Sequence, residues 1–148
     1  MSTFILKTDY ADSIKETLLD DITETNDDLL DSAEKKAIAF MKGYLNARYD
    51  CDAIFSATGD DRDPVILMRA VDISLYYLHR LTNWRNVPRF RQEAYQEAKE
   101  WLEKVNKLEI NPVGLPKVAD DTTRQPLQWG SNTKRTNHID VDDSTSLI

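Results

Sequence analysis

The pattern of apolar and polar positions is clearest between Asp63 and Leu81, where it has the period of an α-helix. Asp63 is a good helix cap, and Pro64 then occupies the first turn, where its missing N–H costs nothing. The polar side chains fall within a strip of roughly 100°, and its members are Arg69, Asp72, Tyr76, His79 and Arg80. The rest of the circumference is mostly apolar, which predicts a buried central helix. A bilayer span would need ~20 predominantly apolar residues and less charge.

Three further segments repeat apolar residues at helical spacing. A short amphipathic helix is predicted from Thr8 or Asp9 to about Asp20, and a second helix from about residue 28 to residue 49. The last helix opens with a proline and covers residues 88–106. Its apolar stripe consists of Phe90, Ala94, Ala98, Trp101, Leu102 and Val105.

Residues 50–62 lack this spacing and are predicted to form a loop before the central helix. Five acidic side chains lie in or next to the loop, so a calcium site and a solvated, capped loop are two interpretations. The central Gly and terminal Glu of an EF-hand are absent, which favours the solvated loop. We expect Ile54 and Phe55 to tuck it against the helices.

The helical pattern stops at Asn111, and the residues beyond it show no sustained period. A stretch of this length without regular structure is typical of a functional or disordered segment, and an arm that orders on a partner fits both descriptions. Trp and Arg are over-represented among interface hot spots, and the arm contains both. The candidate partner-binding residues are Trp129, Gly130, Ser131, Asn132, Lys134, Arg135, Asn137 and His138.

These patterns together predict an all-α protein. We expect a small four-helix bundle around a buried central helix, followed by an extended C-terminal arm. The predicted boundaries are 1–110 for the helical core and 111–148 for the arm.

Charge is distributed unevenly along the chain, whose formal net charge is −7. Residues 1–63 contain 15 acids and 7 bases, whereas residues 64–108 contain 5 acids and 8 bases. A negative protein without a strong basic field is not typical of nucleic-acid binders. The asymmetry is either chance variation on a solvated surface or a sign of head-to-tail packing between copies, acidic flank against basic flank.

A basic corner is predicted where the last helix begins. Arg89 and Arg91 stand at its N-terminus, where the helix dipole disfavours cations, and Arg85 lies just before them. A solvated corner is one interpretation. The other is a subunit interface, in which Arg85, Arg89 and Arg91 meet carboxylates on the first or second helix of a neighbouring copy.

Catalytic chemistry finds little support in the sequence. The two histidines are His79, on the polar strip of the central helix, and His138. No arrangement supplies a nucleophile, a base and an orienting group, and the Gly130–Lys134 stretch lacks the pattern of a phosphate-binding loop. We therefore expect a protein that is not an enzyme and that uses no cofactor or metal.

The expected compartment is the cytoplasm of the cell in which the protein is assembled. Cys51 is the single cysteine, so neither an intrachain disulfide nor a cysteine-based metal site is expected. The apolar run at Phe4–Leu6 is too short for a secretory signal, and no membrane association is predicted.

Four motifs, in this order, resemble those of the phage Mu-like head–tail connector family, also described as adaptor or head-completion proteins. The second helix ends in GYLNARY (residues 43–49), and the central helix contains AVDISLYYL (residues 70–78). The last helix ends in AKEWLEKV (residues 98–105), before a Gly-Leu-Pro exit at residues 114–116. The resemblance covers about residues 3–118. The acidic loop at 50–62 and the long extension after residue 118 depart from the family pattern.

The resemblance implies a structural virion protein that forms a homo-oligomeric ring, expected to be a dodecamer, in the neck between capsid and tail. Its implied partners are the portal protein and the tail or neck proteins. The implied role is to retain packaged DNA, which passes through the ring without specific binding, and to present a tail-docking surface.

A different class of function also fits the sequence. A small phage-encoded regulatory or adaptor protein could use the C-terminal arm to fold onto a target. A ring found by mass measurement favours the connector, whereas a monomer with a specific soluble partner favours the regulator.

The arm generates the first prediction. Replacing Trp129 by Ala should weaken assembly by about 2 kcal/mol or more if this residue is an interface hot spot. Because the arm contributes no helix to the core, the melting temperature should not change. Calorimetry and a binding titration measure the two quantities separately, and unchanged assembly would reduce the arm to a tail without a binding role.

Overall fold

The computed structural model describes residues 3–119. The regular structure of these residues is helical, which confirms the all-α class, and the one β-bridge among them joins Tyr49 and Lys117. Two 3₁₀ segments, Lys7–Asp12 and Gly59–Asp61, accompany the α-helices. The α-helices are α1 (Glu16–Thr23), α2 (Asp27–Leu45), α3 (Cys51–Ser56), α4 (Pro64–Thr82) and α5 (Arg89–Asn106).

Helix α4 is the central element, and it begins as its sequence predicts. The Asp63 carboxylate accepts hydrogen bonds from the backbone N–H groups of Val65 (3.0 Å) and Ile66 (2.9 Å), and Pro64 occupies the first turn. The helix packs against α1, α2 and α5. Burial of a large aliphatic side chain contributes about 1.5–3 kcal/mol, and the fully buried ones on α4 are Ile66, Ile73, Leu75 and Leu78.

The predicted first helix is wrong in its extent, because the chain is divided there. Lys15 has an extended backbone, which separates the 3₁₀ segment from α1. A continuous helix would bury Leu18, four residues after the buried Ile14, but after the break Leu19 is buried and Leu18 is 50% exposed. Asp9 holds the start of the 3₁₀ segment by accepting the Leu6 backbone N–H at 2.6 Å.

The predicted loop at residues 50–62 is also wrong, because it contains α3 and the second 3₁₀ segment. Asp50 caps α3 by accepting the Ala53 backbone N–H at 3.0 Å. Ile54 and Phe55 are buried, as expected, but they reach the core from a helical turn rather than from a loop. A single helical turn offers too few apolar repeats for the sequence pattern to reveal it.

Arg48, at the end of GYLNARY, joins parts of the chain that are distant in sequence. Its guanidinium donates to the backbone carbonyls of Val105 (3.1 Å) and Asn106 (2.6 Å), where α5 ends. Its own carbonyl accepts the Val118 N–H at 2.9 Å, and the Pro116 carbonyl accepts the Asp50 N–H at 2.8 Å. The compact unit therefore extends to Val118, past the predicted boundary at residue 110.

The position of α4 generates a prediction about the core. Leu75 is fully buried, so Leu75→Asp places a charge among apolar side chains and should lower the free energy of unfolding by about 3–5 kcal/mol. Met68 lies on the same helix and is 49% exposed, so Met68→Asp is a matched control with an expected cost below about 1 kcal/mol. Urea unfolding followed by circular dichroism measures both. Equal effects of the two substitutions would contradict the assigned faces of α4.

Candidate interaction surface

Large apolar side chains are exposed where α4 ends and α5 begins. Trp84 in the connection is 69% exposed, Phe90 in the first turn of α5 is 60% exposed, and Leu81 near the end of α4 is 41% exposed. Its spacing places Phe90 on the apolar stripe of α5, but it is not buried as Ala98 and Leu102 are. The next residue, Arg91, is buried instead, so the first turn of α5 directs Phe90 outward. We call residues 80–91 the basic end, because they contain four arginines and no acid.

Arginine side chains of the basic end lie beside its aromatic rings. The Arg85 guanidinium carbon lies 5.0 Å from the centre of the Trp84 ring, within cation–π range. The Arg89 Nε donates to Glu93 at 2.8 Å, one turn further along α5. Arg85 takes part in none of the ion pairs of residues 3–119, so its charge is compensated less than that of Arg89.

Arg91, the third predicted interface residue, points into the protein. It is 5% exposed, and its Nη2 donates to the Ser13 carbonyl at 2.8 Å. Burial lowers the pKa of this guanidinium, and Asp72 opposes the shift. Arg91 thus contacts the segment that leads into α1 of its own chain, where the sequence predicted a contact between copies. The structure brings Arg85 and Arg89 to the surface and assigns Arg91 to the interior.

The polar strip of α4 faces this buried arginine. Burial raises the pKa of Asp72, and the nearby Arg69 and Arg91 oppose that shift. Burial also lowers the pKa of His79, and the positive charge of Arg91 lowers it further. Tyr76, also on the strip, stacks on Tyr95 of α5, so the strip forms part of the contact between α4 and α5.

An aromatic cluster extends from the basic end between the helices. Tyr76 and Tyr95 stack with ring centres 4.0 Å apart, and Arg80 lies 5.9 Å from the Tyr76 ring. Tyr77 and Phe40 complete the cluster from α4 and α2. Burial, with a smaller contribution from Tyr77, raises the pKa of Tyr95 to about 12, so this hydroxyl remains protonated at neutral pH.

The sequence patterns did not predict a buried polar pair inside the protein, which consists of Tyr10 and Glu34. The Tyr10 hydroxyl donates to Glu34 Oε1 at 3.0 Å, and each residue is 1% exposed. Burial raises the pKa of Tyr10, with a further contribution from the Glu34 charge. Glu34 falls on the inner face of α2 by its spacing from Leu30, Ala37 and Met41, which is the signal that could have identified it.

The other predicted site residues lie outside the described part of the chain. These are the candidate partner-binding residues of the arm, Trp129, Gly130, Ser131, Asn132, Lys134, Arg135, Asn137 and His138. Within residues 3–119, no group of His, Cys, Asp and Glu has the arrangement of a metal site. None of the helices in that range is long and apolar enough to cross a membrane.

Comparisons with known proteins give no relative for this chain. No protein-family model, curated protein or solved structure matches it.

The environment of Arg91 generates a prediction about His79. Because the Arg91 cation disfavours the imidazolium, Arg91→Met should raise the pKa of His79, while burial keeps that pKa below its usual value. Arg89→Met is the matched control, since Arg89 is exposed and should leave the titration unchanged. Proton NMR measures both, with a His138→Asn background to assign the signal. A His79 titration that is the same in both variants would contradict the assigned position of Arg91.

Proposed function

We propose that this chain is a structural virion protein that forms the head–tail connector ring between portal and tail. In this role it retains packaged DNA and presents a docking surface to the tail. The observation that carries the proposal is the basic end, where an exposed Trp and Phe are combined with outward-facing arginines. Aromatic residues and Arg are enriched at the centres of protein interfaces.

The convergence of the resembling motifs supports the connector proposal. GYLNARY is distant in sequence from the end of AKEWLEKV and from the Gly-Leu-Pro exit, yet it meets both around Arg48. Three of the motifs that carry the resemblance therefore form one structural junction. In this proposal α1, α2, α4 and α5 form the four-helix bundle of a connector core.

Charge supports self-association and the passage of DNA. The basic end belongs to a chain whose net charge is −7, so another copy of the same chain offers complementary carboxylates. A contact between two different surfaces of identical subunits is heterologous, and it closes into a ring when the rotation permits. An acidic lining would repel the DNA backbone and let it slide without specific binding. The proposed site of action is the virion neck, after assembly in the host cytoplasm.

The basic end generates a prediction about assembly. Arg85→Glu with Arg89→Glu should abolish oligomers while leaving the subunit folded, because both side chains are exposed and Arg91 is retained. The matched control is Lys104→Glu with Lys107→Glu, which makes the same change of net charge at the far end of α5. Light scattering after size-exclusion chromatography measures the mass. Normal oligomers from the first variant would remove the basic end from the interface.

The connector role itself is tested by co-expression with the neighbouring structural genes, followed by electron microscopy of the complexes that co-purify. We expect rings seated on the portal. A protein that remains monomeric beside the portal and co-purifies with a soluble host protein instead would contradict the connector role and favour the regulatory alternative.

A further inference from the structure

The end of the protein that precedes α4 is strongly acidic. Residues 50–63, which we call the acidic end, contain five aspartates and one base, Arg62. Asp60 and Asp61 are exposed, and the Asp52 side chain is 96% exposed and lies 3.4 Å from Lys42. The two remaining aspartates cap α3 and α4.

The one base of the acidic end is directed inward. Arg62 pairs with both oxygens of Asp9, at 2.6 and 3.1 Å, and its Nη1 donates to the Phe4 carbonyl at 2.8 Å. Its Nε donates to the Gly59 carbonyl at 3.0 Å, and its side chain is only 11% exposed. The exposed charge of the acidic end is therefore almost entirely negative.

A cleft of about 180 Å³ opens in the acidic end, between α3 and the exit segment. Its lining includes the apolar residues Ile54, Ala57 and Leu115 and the acidic residues Asp61 and Asp63. The Asp63 carboxylate also caps α4, which leaves Asp61 as the acid available to a partner. A mixed lining of this kind suits a side chain with an apolar stem and a cationic head, which is the character of arginine.

The acidic and basic ends lie at opposite ends of the central helix. The acidic end leads directly into Pro64, and the basic end includes the last residues of α4 and the connection after Thr82. Helix α4 has 19 residues, and at 1.5 Å per residue it separates the two ends by about 28 Å. One subunit thus carries complementary surfaces that are too far apart to meet within a single copy.

We propose that the basic end of one copy binds the acidic end of a second copy, with Arg85 seated in the cleft beside Asp61. The inference rests on the proposed self-assembly and names the two surfaces that make the contact. Trp84, stacked on Arg85, packs against the apolar rim of the cleft and excludes water from the ion pair. The partner surface is therefore the segment before α4, and not the first or second helix expected from the sequence.

The chemistry of the two surfaces favours this pairing over a contact between like surfaces. Two basic ends, or two acidic ends, would place charges of the same sign together, which disfavours an isologous dimer. A basic end against an acidic end leaves each subunit with one free surface of each kind. Such a contact propagates until it closes into a ring, or it continues as a filament.

The test uses two substitutions in the full chain that are not complementary to each other. Arg85→Asp reverses the charge of the basic surface and leaves the cleft intact, whereas Asp61→Asn removes the cleft carboxylate and leaves the basic surface intact. Each variant alone should self-associate about tenfold more weakly or not at all. An equimolar mixture should form a 1:1 heterodimer and nothing larger, because one intact contact remains and the two altered surfaces do not attract each other. Lys36→Asp and Glu100→Gln are control substitutions at other exposed positions and should assemble as the wild type does.

Native mass spectrometry distinguishes the outcomes, with melting temperatures confirming that each variant is folded. Single variants that assemble normally, or a mixture that gives no heterodimer while the wild type forms rings, would overturn the pairing and leave the connector proposal standing. A heterodimer from the mixture together with open filaments from the wild type would support the pairing and contradict the ring. A wild type that is monomeric at every concentration would overturn both.

Discussion

The apolar circumference of α4 is the constraint on which the rest of the structure depends. Ile66, Ile73, Leu75 and Leu78 cannot all be covered by one neighbour, so α1, α2 and α5 must each contribute a face. The short elements and connections that flank α4 contain the acidic and basic surfaces.

Arginine side chains tie the segments around this helix to one another. Arg62 anchors the N-terminal segment through Asp9 and the Phe4 carbonyl, Arg91 anchors Ser13, and Arg48 anchors the end of α5. Most of these contacts are made to backbone carbonyls, which a planar guanidinium with several donors can satisfy together. These three arginines are used inside the subunit, whereas Arg85 and Arg89 at the basic end are exposed, which is why the proposed contact with a second copy involves them.

The sequence predicted the elements whose apolar residues repeat over several turns. The cap at Asp63, the course of α4 and the extent of α5 follow from residues that are local in the chain. Three features could not be predicted from local residues. The turn of α3 is too short to show a period, the phase of α1 depends on the extended backbone at Lys15, and the directions of Arg85 and Arg91 depend on which helix lies nearby. The sequence shows that arginines cluster at the basic corner. Which of them are exposed and which are buried depends on the tertiary structure.

We propose that copies of this chain associate through oppositely charged ends, and the mass of the full-length protein at increasing salt concentration tests this. We expect a discrete oligomer at low salt that dissociates toward the monomer between about 0.1 and 1 M salt, because the electrostatic screening length falls from about 10 Å to about 3 Å over that range. An oligomer whose mass and affinity do not respond to salt, or a monomer throughout, would contradict it.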